Sequence, residues 1–179
     1  MLALAYSNQS QLDMLRDRND EAIESSTRAI ALARAHGDPA TLSHALCNLG
    51  TAQLQRGIED GTAALQESLA VALAAQEQEH ACRAYVNTIW LRLEHRELAA
   101  AMTLLTPALK LAQDSEQIVF RDYLLVERAR VELAEGRYDD AVSSVQSALA
   151  SPGAVRCAAL IVLNLALVRI GGGRGWAAG

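Results

Sequence analysis

A small residue followed by an apolar one recurs along this chain at Ala29-Ile30, Ser68-Leu69, Ala108-Leu109 and Ala148-Leu149. The apolar members lie 39, 40 and 40 residues apart. Seven residues before each small residue stands another: Ala22, Gly61, Ala101 and Ala141. Small residues seven apart share one helix face, where they let a neighbouring helix approach closely at two successive levels. A fixed period near 40 with two helices per period marks an α-solenoid. Alanine fits this reading: 34 of the 179 residues are Ala, which favours helix over strand.

A second ladder runs through the other helix of each unit. Asn8, Asn48, Asn87 and Asn164 stand at equivalent places, with Glu127 in the fourth unit. Each lies six residues before an apolar residue: Met14, Leu54, Leu93, Leu133 and Ile170. Breakers separate the periodic runs, at Gly37-Asp38-Pro39, Arg56-Gly57, Glu135-Gly136 and Ser151-Pro152-Gly153. Asp38 before Pro39 predicts an N-cap and a proline in the first helical turn, and Asp114-Ser115 gives a weaker start signal. Helix pairs are expected at about 2–16 with 19–35, 39–55 with 59–76, 79–95 with 97–113, and 116–135 with 137–150. A last first-type helix is expected at about 153–170.

The fold expected is therefore all-α: a right-handed α-solenoid of antiparallel helix pairs, about four and a half repeats of ~40 residues. It forms a single repeat domain over 1–179. The units fall at 1–37, 38–77, 78–114 and 115–151, with a partial unit at 152–170 and a flexible tail at 171–179. The next second-type helix would begin beyond the last residue, so the array is expected to stop in mid-repeat. Leu160, Ile161, Leu163 or Leu165 should then be exposed and invite self-association.

Several function classes are disfavoured. Sixteen basic against 21 acidic residues give a net charge of -5, which argues against nucleic-acid binding. The longest apolar run, Cys157 to Val168, is too short to cross a bilayer, and the first seven residues are no signal peptide. Cys47, Cys82 and Cys157 are odd in number and form no C-x-x-C, so reduced thiols in a cytoplasmic protein are expected. No nucleophile elbow, zinc-protease, calcium-loop or Walker signature occurs, and the single lysine, Lys110, follows Leu109. The expectation is a protein that is not an enzyme and takes no cofactor. His44 and Cys47 share a helix face, but two ligands are too few for a metal site. Asp17-Arg18-Asn19-Asp20 reads as a helix cap.

The chain resembles the tetratricopeptide repeat family. The resemblance rests on Ala22/Ala29 and Ala141/Ala148, on the turn-like stretch from Leu133 to Ala141, and on Asn48-Leu49-Gly50-Thr51-Ala52. It departs from the family in its longer period and in Gly61-Thr62 where the second unit should carry an Ala pair. Longer units of this kind look like the repeat region of large ATP-dependent LuxR-type regulators, the bacterial MalT-like class. Neither the nucleotide-binding domain nor the helix-turn-helix of that class is visible here.

This resemblance implies that the first-type helices line a concave groove. Asn8, Asn48, Asn87, Glu127 and Asn164 then look like groove-facing positions, with His44, Arg83, Tyr123, Trp90 and Arg130 one turn away. Amides could read an extended peptide, the arginines a carboxylate, and Trp90 could give an aromatic platform. The competing reading is that the Asn side chains bond neighbouring helices and hold the repeats in register. Leu4 and Leu160 stand where the family's carboxylate clamp wants a cation. Three functions follow in order. One is a protein- or peptide-interaction scaffold, a segment of a transcriptional regulator. Another is a small-molecule effector sensor using the same groove. An enzyme is the least supported.

Overall fold

A computed structural model describes residues 1–151 together with 159, 160, 162, 163, 165–167, 169 and 170. Eight helices are bounded: α1 (Leu2–Met14), α2 (Asn19–His36), α3 (Pro39–Gln55), α4 (Gly61–Ala74), α5 (Gln78–Glu94), α6 (Leu98–Asp114), α7 (Ile118–Ala134) and α8 (Tyr138–Leu149). The described residues from 159 to 170 are helical as well, and no strand occurs among the described residues. Sequence neighbours pack as pairs, in keeping with an all-α repeat. Asn164, Ile161, Cys157 and the expected tail at 171–179 lie outside the described residues.

One turn is used throughout. A residue with positive φ follows each of the first seven helices: Asp17, Gly37, Gly57, Gln76, Arg96, Glu116 and Gly136, in steps of 20, 20, 19, 20, 20 and 20 residues. The next residue's N–H then returns to a carbonyl five positions back. These bonds are Arg18 to Asp13, Asp38 to Ala33, Ile58 to Gln53, Glu77 to Ala72, Glu97 to Arg92, Gln117 to Ala112 and Arg137 to Glu132, all 2.8–3.0 Å. This is a Schellman closure, which satisfies carbonyls that the helix end would otherwise leave without partners. Glycine adopts the left-handed conformation without steric cost, yet only Gly37, Gly57 and Gly136 are glycines. The repeat imposes the same geometry on Asp17, Gln76, Arg96 and Glu116. The Asp114-Ser115 start signal is corrected by this arrangement. Asp114 ends α6, Ser115 is its C-cap, and α7 begins at Ile118 after Glu116 has made the turn. Asp38 does cap α3, accepting from the Thr41 N–H at 3.0 Å, with Pro39 in the first turn. At α2 the cap reading is also corrected: the residue before the helix, Arg18, makes no side-chain cap bond, although Asp20 and Glu21 do lie in the first turn.

The residues divide into two compact units, Met1–Leu91 and Arg92–Gly179. In the first, α1 packs on α2 and α3, α2 on α3, and α3 on α4. Ala22 and Ala29 are fully buried on α2, and Gly61 and Ser68 are buried on α4. The glycine at 61 is explained by its partner across the helix pair. A Cβ on Gly61 would stand 2.4 Å from the Gly50 carbonyl oxygen, and one on Gly50 would stand 2.6 Å from that of Gly61. Two backbones meet there, and even an alanine is too large. One level along, Ser43 and Ser68 exchange hydrogen bonds: Ser68 Oγ donates to the Ser43 carbonyl at 2.7 Å and Ser43 Oγ to that of Ser68 at 3.0 Å. Cys47, Leu65, Ala84 and Leu91 form a core that joins α3, α4 and α5, with Leu54, Leu69 and Trp90 against it.

In the second unit α7 packs on α6 and on α8. Ala101, Ala108, Ala141 and Ala148 are all buried. Leu125, Val126, Ala129, Val145, Ala159, Val162 and Ala166 complete one core with Ala141 and Ala148. An alanine methyl contributes only about 0.8 kcal/mol by burial, but it lets the helix axes close and brings larger side chains into contact.

Candidate functional site

The Asn ladder in the first unit is a chain of helix-to-helix bonds. Asn48 on α3 is 1% exposed, and its Nδ2 donates to the Ser7 carbonyl at 3.0 Å and Ser10 Oγ at 2.9 Å, both on α1. Asn87 on α5 repeats the gesture toward α3, donating to Cys47 Sγ and to Thr51 Oγ1, each at 3.2 Å. Both bonds span one repeat. The register-holding role is thus visible at both positions, and Asn48 is too deeply buried to meet a ligand. Asn87 remains half-buried, and Asn8 on α1 is exposed.

In the second unit the position is ionic. Glu127 on α7 is buried, and desolvation raises its pKa against the opposing pull of Arg130. Arg130 Nη1 lies 2.8 Å from Glu127, and Arg130 Nη2 lies 2.8 Å from Glu94 at the end of α5. The guanidinium is already shared between two carboxylates, which is the geometry a bound carboxylate would have to displace.

A second cluster sits one turn from Asn48. His44 on α3 stacks on His80 of α5, with ring centroids 5.6 Å apart and planes 29° from parallel. Both are pushed toward the neutral form, His44 down to about 4, by burial first and then by the positive charge of Arg83. His44 Nε2 and His80 Nδ1 are buried without hydrogen-bond partners. Arg83 pairs with Glu79 at 2.8 Å. Cys47 is buried and its thiol is pushed up to about 11, so it stays protonated and unreactive. No group of three or more His, Cys, Asp or Glu among the described residues could hold a metal ion. The stack escaped sequence reading because His80 lies one turn before the position equivalent to His44. Only the three-dimensional offset of α5 on α3 brings the rings together.

Arg83, Asn87 and Trp90 lie four and three residues apart on α5 and form one half-exposed face. Trp90 rests on the Cys47–Leu65–Leu91 core, which holds the indole in place. In the second unit, Gly136, Arg137, Tyr138, Asp139, Asp140, Arg169 and Ile170 line an open cleft of about 440 Å³. Buried Glu132 nearby accepts from Ser144 Oγ at 2.7 Å and ties α7 to α8. Of the leucines expected on the surface of the last helix, Leu160 and Leu165 are exposed, joined by Leu167, while Leu163 turns partly into the core. No helix among the described residues is long and apolar enough to cross a membrane. Comparison with known proteins finds no matching family model and no matching curated protein.

Proposed function

We propose that this chain is a non-catalytic interaction scaffold of tetratricopeptide-like repeats, a right-handed α-solenoid of about four and a half helix pairs. It would bind an extended peptide or a protein segment, in a reducing cytoplasm, as part of a regulator. The observation that carries the reading is the α5 face. Arg83, Asn87 and Trp90 combine a cation, an amide and a partly exposed indole on one helix, anchored from below by a packed core. Aromatic and arginine side chains held rigidly are the usual anchors of a binding surface. Asn87 spends its Nδ2 on α3, which leaves its carbonyl oxygen as the acceptor for a peptide N–H.

A peptide array read by thermal shift, run beside a library of sugars and metabolites, tests this. Peptide binding that falls at least about tenfold in Trp90→Ala and in Arg83→Ala supports the scaffold. Stabilisation by one small molecule, lost in the same variants, would replace it with the effector-sensing reading. Binding that both variants leave unchanged would move the site off this face.

A further inference from the structure

The first helix carries an exposed stripe that is symmetric about its own centre. Met1, Leu4, Asn8, Leu12 and Leu15 follow one another at intervals of three, four, four and three residues, and all are exposed. At 100° per residue Leu4, Asn8 and Leu12 fall within one face of α1, and Met1 and Leu15 flank its two ends. Leu4 and Leu12 are each 47% exposed and Leu15 is 69% exposed, a dense apolar strip for a surface helix. The buried side of α1 is a different one, made of Ala3, Ser7, Ser10 and Asp13.

We propose that this stripe is the interface for a second copy of the chain, with two α1 helices packed antiparallel across a two-fold axis at Asn8. The order of residues is the same read from either end. An antiparallel partner therefore sets Leu4 against Leu12, Leu15 against Met1, and Asn8 against Asn8. An isologous contact demands this self-complementarity. The two amides can each donate to the other, and a polar pair amid leucines fixes register and orientation.

Two further observations favour that occupant. The equivalent face on later repeats is already a helix-packing surface: Asn48 meets α1 and Asn87 meets α3. Yet the residues matching Leu4, Leu12 and Leu15 on α3 are His44, Ala52 and Gln55. The first helix thus carries large apolar groups where the packed repeat uses polar or small ones. The stripe also contains no charged side chain. Asp13, which interrupts it in sequence, is buried and paired with Arg18 and Gln9, so no like charges face each other across the axis.

Sedimentation equilibrium of the full chain from micromolar to sub-millimolar concentration gives the test. A monomer–dimer equilibrium is expected, with the dissociation constant raised at least about tenfold by Leu12→Glu and unchanged by Leu73→Glu. Leu73 is comparably exposed on α4. Under mild oxidation Asn8→Cys should form a covalent dimer that Leu73→Cys does not. A strictly monomeric chain would overturn the proposal, as would a dimer that Leu12→Glu leaves intact. An Asn8→Cys variant that cross-links no faster than Leu73→Cys would do so too. If association instead answers to Leu160→Glu and Leu167→Glu, the interface lies on the last helix and the α1 assignment is wrong.

Discussion

Acid should weaken this protein through His44 in a way that can be measured separately from its carboxylates. His44 has an ordinary pKa of 6.5 and a folded value near 4, set by burial and by Arg83. Between those values the unfolded chain takes up a proton that the folded chain refuses. The unfolded state binds more protons, so stability rises with pH and falls as pH drops from about 6.5 toward 4. With 1.36 kcal/mol per pKa unit, the loss from pH 7.5 to 4.5 is about 2–3 kcal/mol from this group alone. His80 shifts the same way and adds to it; its surroundings include Arg83, Glu79, Glu77 and Asp38. Urea unfolding followed by circular dichroism at pH 7.5, 6.5, 5.5 and 4.5 gives the curve. The carboxylates common to both proteins cancel when the same series is run on His44→Gln. The wild-type chain should lose about 2 kcal/mol more than the variant across this range, with most of the difference below pH 6.5. Parallel curves, or a proton NMR titration of His44 with its midpoint at 6.5, would refute the reasoning.

Asn48→Ala removes two bonds that span one repeat and leaves the Ser7 carbonyl and Ser10 hydroxyl with one partner fewer each, so it should cost about 1–3 kcal/mol in denaturant titration, while Asn8→Ala on the surface should change monomer stability by less than about 0.5 kcal/mol. Ala141→Leu must push α8 off α7 and should cost about 1–3 kcal/mol; an unchanged unfolding midpoint would mean that this level of the helix pair is not closely packed. Gly61→Ala places a methyl against the Gly50 carbonyl and should lower the midpoint by at least as much, and an Ala at Gly50 should behave alike. In the turns, Gly136→Ala should destabilise by about 1 kcal/mol, whereas Glu116→Gly should be neutral or stabilising because it relieves a side chain held at positive φ. Equal effects of these last two changes in thermal melts would contradict the shared turn geometry.

The parts of this fold that were legible in the sequence are those where chemistry allows one residue class only. A close helix crossing demands a small residue, so Ala22, Gly61, Ala101 and Ala141 announced the crossings and their spacing. Asp38-Pro39 announced a helix start because the aspartate cap and the N-terminal proline have no comparable use elsewhere. The turns at Gln76, Arg96 and Glu116 were opaque for the opposite reason. Their left-handed backbone comes from packing on both sides of the turn and not from local preference, so no glycine marks it. Asn48 and Asn87 were legible as positions but not as roles, because an amide that reads a peptide and one that bonds the next helix leave the same spacing in the sequence.

That ambiguity resolves differently in the two units, and the difference bears on where a ligand can act. In the first unit Asn48 and Asn87 are neutral amides whose Nδ2 groups bond the helix before them, so a partner on α5 meets the Asn87 carbonyl oxygen beside Trp90 and the Arg83–Glu79 pair. In the second, Glu127 takes the same position as a buried carboxylate that is costly to keep charged, and Arg130 and Glu94 form the network that holds it. An anionic ligand reaching Arg130 would have to compete with both carboxylates, whereas a cationic group would find them only partly neutralised. A ligand of the second unit should therefore present basic side chains to Glu94 and Glu127, whereas one held at Arg83 and Trp90 in the first should present a carboxylate or carbonyls. For a peptide held by the second unit, replacing its basic side chains with acidic ones should abolish binding, and a peptide that tolerates the change would show that Glu94 and Glu127 do not select its charge.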